Sequence, residues 1–206
     1  MPSESRRVGR PPWWPQGPLV VVLVAGLLAV ALLVVVPRRT GGEMPSSPQC
    51  AVAEAGIRVD VAAVPEGPVA GYGAEQLAHA AAIVNAGQAL GLDTCAQTIG
   101  VMTAMGESSL RVLDRGDAVG PDSRGLFQQR ANGAWGTYAD RMDPTTSATN
   151  FFRALRQVPD WQALPPTIAA HRTQRNADPY HYERYWDAAV EVMTALAGRP
   201  VTQAGP

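Results

Sequence analysis

Met102-Thr103-Ala104-Met105-Gly106-Glu107-Ser108-Ser109-Leu110 closes a run of small and apolar residues that opens at Cys95. Ile99, Met102 and Met105 recur at helical spacing with alanines between them, and Asp93 or Thr94 can cap the start. The spacing predicts a buried helix over residues 95–108. Glu107 is the exception in that helix. A carboxyl group at the end of an apolar helix is partly desolvated, which disfavours its charged form and holds a proton near neutral pH. A protonated carboxyl is what the leaving oxygen of a glycosidic bond requires. The plain alternative is a glutamate facing solvent at a helix end, and one glutamate does not decide between them.

The next segment, Asp122-Ser123-Arg124-Gly125-Leu126-Phe127-Gln128-Gln129-Arg130, adds to the reading. Gly125 permits close backbone approach, and Leu126 and Phe127 can anchor a loop in the core. Gln128 and Gln129 supply amide donors and acceptors suited to sugar hydroxyl and N-acetyl groups. Trp135 and Tyr138 add flat faces for stacking on pyranose rings, with core packing as the competing role.

Glu107-Ser108-Ser109-Leu110 followed by Gly125-Leu126-Phe127-Gln128 resembles the lysozyme-like lytic transglycosylase superfamily, the soluble lytic transglycosylases and goose-type lysozymes. The longer match is to its actinobacterial and phage members. It takes in Gly116-Asp117, Asp122-Ser123, Gln129-Arg130, Trp135-Gly136-Thr137, Asp143-Pro144 and Phe151-Phe152, then Gln174, Pro179, Tyr182 and Trp186, and covers residues 74–190. The resemblance implies an α+β lysozyme-like fold and cleavage of peptidoglycan between N-acetylmuramic acid and N-acetylglucosamine. It implies Glu107 as acid and base, and the Gly125 segment as groove floor. Ser123, Gly125, Leu126, Phe127, Gln128, Gln129, Trp135 and Gln174 are the implied substrate contacts. The family's later segment often reads Ala-x-Tyr-Asn or Val-Gln-x-Ser. Here Gln174 keeps the glutamine, whereas His171, Thr173 and Asn176 depart.

A second carboxylate is open. Two-acid glycosidase mechanisms need one, and Asp114, Asp117, Asp122, Asp140 and Asp143 are candidates. Asp117 and Asp122 lie in the motif, where stabilising a turn is the competing role. Without a second acid, the substrate N-acetyl group can assist departure and the sugar 6-hydroxyl can close a 1,6-anhydro ring. Glu107 then serves as acid and afterwards as base. His79, His171 and His181 have no metal-ligand spacing with cysteine or acidic residues, so neither a metal nor a cofactor is expected.

Helical periods place further helices over residues 75–90, 145–158, 166–172 and 179–197. Tyr182, Tyr185, Trp186, Ala189 and Val190 are the inward face of the last. Residues 109–143, rich in Gly, Asp, Arg and Pro, read as a long functional loop with at most one short hairpin. The expectation is a mainly α-helical domain over 74–198 with a long loop or small β element between its second and third helices, and a tail over 199–206.

Ahead of this domain, residues 19–36 are an unbroken Leu, Val, Ala and Gly run. At ~1.5 Å per residue they span roughly 27 Å, the thickness of a bilayer's hydrocarbon core. Pro18 and Pro37 bracket the run, and Trp13 and Trp14 fall where an interfacial belt would lie. A cleaved signal peptide fits less well, because the run is long, Arg38 and Arg39 follow directly, and no Ala-x-Ala site is near. Residues 1–18 read as a cytoplasmic tail. Residues 37–73 read as a linker, with a short strand at 57–64 suggested by the alternation of Ile57, Val59 and Val61.

Arg6, Arg7 and Arg10 before the run, against Arg38 and Arg39 after it, favour an inside N-terminus by a small margin. The domain is then extracytoplasmic on a single-pass membrane anchor, where Cys50 and Cys95 can form a disulfide. Two free thiols in a reducing compartment are the alternative. The net charge of −1 over 206 residues gives no reason to expect nucleic acid. The expected partner is peptidoglycan glycan. A non-catalytic wall-binding or scaffold role in a conjugation or secretion apparatus is the competing function.

Overall fold

The computed structural model describes residue 50 and residues 54–201. The described residues are mainly helical and include no β-strand. Six α-helices follow in chain order: α1 (Ala74–Ala89), α2 (Thr94–Ser108), α3 (Tyr138–Met142), α4 (Pro144–Leu155), α5 (Pro166–Gln174) and α6 (Trp186–Ala197). The expected run at 19–36, the tail before it and the tail over 202–206 lie outside the described residues. No helix among the described residues is long and apolar enough to cross a membrane.

The molecule is arranged around α2. Every α2 residue from Thr94 to Met105 is buried, and α1, α4, α5 and α6 all pack against it. A helix buried on every side, its polar Thr94, Gln97, Thr98 and Thr103 included, is a central one. Two glycines let a neighbour approach closely. A Cβ on Gly100 would come within 2.6 Å of Phe152 Cζ, and one on Gly87 within 3.2 Å of the same ring. Phe152 of α4 therefore sits in a notch between α1 and α2. Phe151 stacks on Phe127 with ring centroids 4.7 Å apart, which pins the 124–129 turn to α4.

The alternation at 57–64 is real, but the strand is not. Ile57 and Val59 are buried while Arg58 and Asp60 are exposed. The backbone partners come from side chains rather than from a second strand. Ile57 N–H donates to Gln97 Oε1 at 3.0 Å, and Gln97 Nε2 donates to Ile57 O at 2.8 Å. Asn85 does the same for Val59, at 2.8 and 3.0 Å. Residues 61–63 then form a 3-10 turn, and Val61 is exposed. The segment expected as linker thus contributes Ile57 and Val59 to the core. The Cys50–Cys95 disulfide is formed, with a Cα–Cα separation of 5.7 Å, and fastens the start of this strap to α2.

Two further differences concern the loop and the last helix. Residues 109–143 contain α3, which begins at a capping box. Thr137 Oγ1 accepts from Asp140 N–H at 3.2 Å, and Asp140 Oδ2 accepts from Thr137 N–H at 2.7 Å. In place of a hairpin there is a single bridge, Arg124 to Gln129. The final α-helix starts at Trp186, after a 3-10 turn over Glu183–Tyr185. Tyr182, Trp186 and Ala189 are buried as expected, while Tyr185 and Val190 are only partly so.

Candidate active site

Glu107 occupies the last turn of α2, where the helix leaves the core. The chain turns sharply there, because Ser109 and Leu110 both adopt positive φ, 54° and 60°. Such backbone is costly for non-glycine residues and needs support from its surroundings. That support comes from α1. Gln76 Nε2 donates to Ser109 O at 2.6 Å, and His79 Nδ1 lies 2.8 Å from Leu110 O. Ser108 Oγ lies 2.8 Å from Leu126 O, tying the helix end to the glycine-containing turn. Gly125 (φ 75°) fits because a Cβ there would fall on the Arg141 carbonyl.

The carboxyl group meets three side chains from the C-terminal third of the chain. Tyr182 Oη donates to Glu107 Oε1. Gln174, whose Nε2 donates to Phe127 O at 2.8 Å, also approaches the carboxyl, and His181 is near enough to act on its charge. Burial pushes the Glu107 pKa up. The Tyr182 and Gln174 hydrogen bonds and the His181 charge oppose that, Asp117 adds to it, and the outcome stays above the ordinary carboxylate value. Burial together with the Glu107 charge pushes the Tyr182 hydroxyl far up, so it remains a donor. Gly106 makes room for this tyrosine, since a Cβ there would sit 2.7 Å from Tyr182 Cδ1.

Glu107 opens on two adjoining cavities of about 490 and 570 Å³ that share Glu107, Asp117, Ser123, Gln128 and Asn176. Together they form a groove crossing the carboxyl. Trp135, Arg130, Gln174 and Arg175 border one half. Arg115, Asp178 and His181 border the other.

Of the expected contact residues, Ser123, Gln128, Gln129, Trp135 and Gln174 line the groove. Gly125, Leu126 and Phe127 do not. Leu126 and Phe127 are fully buried and hold the turn from behind. Gln129 is 2% exposed and its Nε2 donates to Ser147 O at 3.0 Å, so its donor already serves the fold. Tyr138 is half exposed, off the groove lining, and its hydroxyl bonds Asp114.

The candidate second carboxylates separate by position. Asp122 accepts from Ala131 N–H at 2.8 Å, which most of all holds its pKa below the ordinary value, and pairs with Arg130 at 2.5 Å, which adds to that; it is absent from the groove lining. Asp114 pairs with Arg124 at 3.0 Å. Asp140 and Asp143 cap α3 and α4. Asp117 alone of the five lines both halves, although its Oδ1 already accepts from Val119 and Gly120 N–H at 2.9 and 2.6 Å.

Among the described residues, no group of three or more His, Cys, Asp or Glu side chains is placed to hold a metal ion. Sequence reasoning missed Arg175, Asn176, His181 and the direct role of Tyr182. The only local signal was Gly106, beside the acid, where a close neighbour could have been suspected. No protein-family model and no curated protein sequence matches this chain.

Proposed function

We propose that this chain cleaves the glycan of peptidoglycan between N-acetylmuramic acid and N-acetylglucosamine, as a lysozyme-like lytic transglycosylase or muramidase. It works outside the cell membrane on the anchor at residues 19–36. The observation that carries this reading is Glu107, a carboxyl group with a raised pKa, bound by Tyr182 and shared by both halves of an open groove. An acid whose protonated form burial favours can give its proton to a glycosidic oxygen lying across the groove.

As the bond from the anomeric carbon to that oxygen breaks, the proton from Glu107 ends on the leaving hydroxyl. The substrate N-acetyl oxygen can cover the anomeric carbon from the other face. Glu107, now a carboxylate, takes a proton from the incoming nucleophile. Attack by the sugar 6-hydroxyl gives the 1,6-anhydro product, and attack by water gives a reducing end. Asp117 is the groove carboxylate positioned to assist the second route. Trp135 and the Gln128 amide suit a pyranose face and its polar substituents.

The full chain incubated with purified peptidoglycan, with released sugars identified by mass spectrometry, tests the reading. Anhydro-muropeptides identify a transglycosylase and reducing ends a hydrolase. Glu107→Gln is expected to lower release by at least ~100-fold, the usual contribution of general acid–base catalysis. Full activity in that variant, or binding without release by the unmodified chain, sinks the mechanism.

A further inference from the structure

The groove carries arginines that cleavage of a neutral sugar chain does not call for: Arg115 borders the His181 half, and Arg130 and Arg175 the Trp135 half. Arg130 is bound to Asp122, so its charge is met within the protein. Arg175 takes part in none of the ion pairs among the described residues, which are Arg124–Asp114, Arg130–Asp122 and Arg199–Glu54. It is exposed on the Trp135 side of the groove.

Its backbone is held on both sides. The Arg175 N–H donates to His171 O at 2.6 Å. The preceding Gln174 is bound to Phe127 O, and the following Asn176 bonds His171 Nδ1 at 2.6 Å. Arg175 is also the left-handed C-cap of α5, with φ 58°. Glycine or asparagine fills that conformation most easily, so the arginine side chain occupies a position that backbone preference alone would give to a smaller residue.

A ring of N-acetylglucosamine offers hydroxyl and amide groups but no charge. A muramyl residue carries a lactyl group that ends in a carboxylate, or is joined through it to a peptide bearing carboxylates of its own. A guanidinium binds a carboxylate through two parallel hydrogen bonds. The Asp117 carboxylate, shared by both halves of the groove, would repel such a group unless a cation held it to one side.

We propose that Arg175 anchors a carboxylate subsite in the Trp135 half of the groove and thereby selects muramyl-containing glycan over neutral glycan. This rests on the cleavage reading above. Arg175 is a specificity-determining residue in this scheme and takes no part in proton transfer.

The test uses the full chain carrying Glu107→Gln, so that binding is measured without turnover. Its probes are peptide-bearing glycan fragments, peptide-free fragments with the lactyl carboxylate exposed, and a neutral N-acetylglucosamine oligosaccharide of equal length. At least one carboxylate-bearing probe is expected to bind about tenfold more tightly than the neutral one, the range of a charge-assisted hydrogen bond. The probe that shows the gap identifies which carboxylate is held. Adding Arg175→Gln should close the gap, and Arg175→Lys should restore part of it, which separates loss of charge from loss of fold.

Equal binding of all three probes, or a gap that survives Arg175→Gln, overturns the subsite and leaves the cleavage reading standing. Failure to bind any glycan, together with no sugar release by the unmodified chain, overturns both.

Discussion

At the scale of one residue, Glu107 is a balance between burial and hydrogen bonding. Burial raises its pKa and the Tyr182 hydroxyl partly opposes that. The sign of the resulting pH dependence follows by linkage. Below the ordinary carboxylate range, folded and unfolded chains both hold the proton. Between that range and the raised folded pKa, only the folded chain holds it, so raising the pH removes stability. Above the folded pKa the penalty is constant. Glutamine does not titrate and can still accept from Tyr182. Thermal unfolding of Glu107→Gln against the native chain should therefore show a stability advantage for the variant that grows with pH across this window. An advantage that does not change with pH would mean that the carboxyl is solvated. The acid itself could be suspected from its apolar neighbours, because α2 is local. Its partners could not, since Tyr182 lies 75 positions away.

At the scale of the element, α2 works because small residues face large ones. Gly106 admits Tyr182, and Gly100 admits Phe152. Alanine at 106 forces the Tyr182 ring away from the helix end and from Glu107. Overpacking of this kind costs about 1–3 kcal/mol. Gly106→Ala should lower the unfolding free energy from denaturant titration by that amount and also lower sugar release, while a stability equal to that of the native chain would show that the ring moves freely. The long helices were legible because their 3.6-residue period is written in neighbouring residues: α2 and α4 fall within about three residues of expectation. The short α3 was not, having no room for a period, although the Thr137-to-Asp140 capping spacing was present in the sequence. The strap at 57–59 displayed its alternation, but that pattern cannot say whether another strand or the side chains of Gln97 and Asn85 will satisfy the backbone.

At the scale of the whole molecule, the N-terminal strap and the domain are one packed unit. Ile57 and Val59 sit in the core, Glu54 pairs with Arg199 at 3.1 Å, and the disulfide closes a separation of 45 residues. In the chain-entropy model a loop of that length stabilises the fold by about 4 kcal/mol. The paired change Cys50→Ala and Cys95→Ala should therefore lower the unfolding free energy by about 2–5 kcal/mol in denaturant titration. A fragment starting at residue 74 should lose at least as much as the paired variant, because it also uncovers the surface beneath Ile57 and Val59. Equal stability of fragments starting at 50 and at 74 would contradict the strap's place in the core.

The sequence by itself determined the helical class, the end of α2 as the place of an unusual acid, and the two cysteines available to pair. Each rests on local spacing, or on there being only one way to join two thiols. Tertiary structure decided the rest. It chose the core over the groove for Leu126 and Phe127, for which the sequence offered both roles, sorted Asp117 from Asp122, and brought Tyr182 and Gln174 to the acid and Arg175 to the groove from the far end of the chain. Which polar side chain faces a groove depends on how distant helices dock against each other, and a single strand of sequence carries no distance between them.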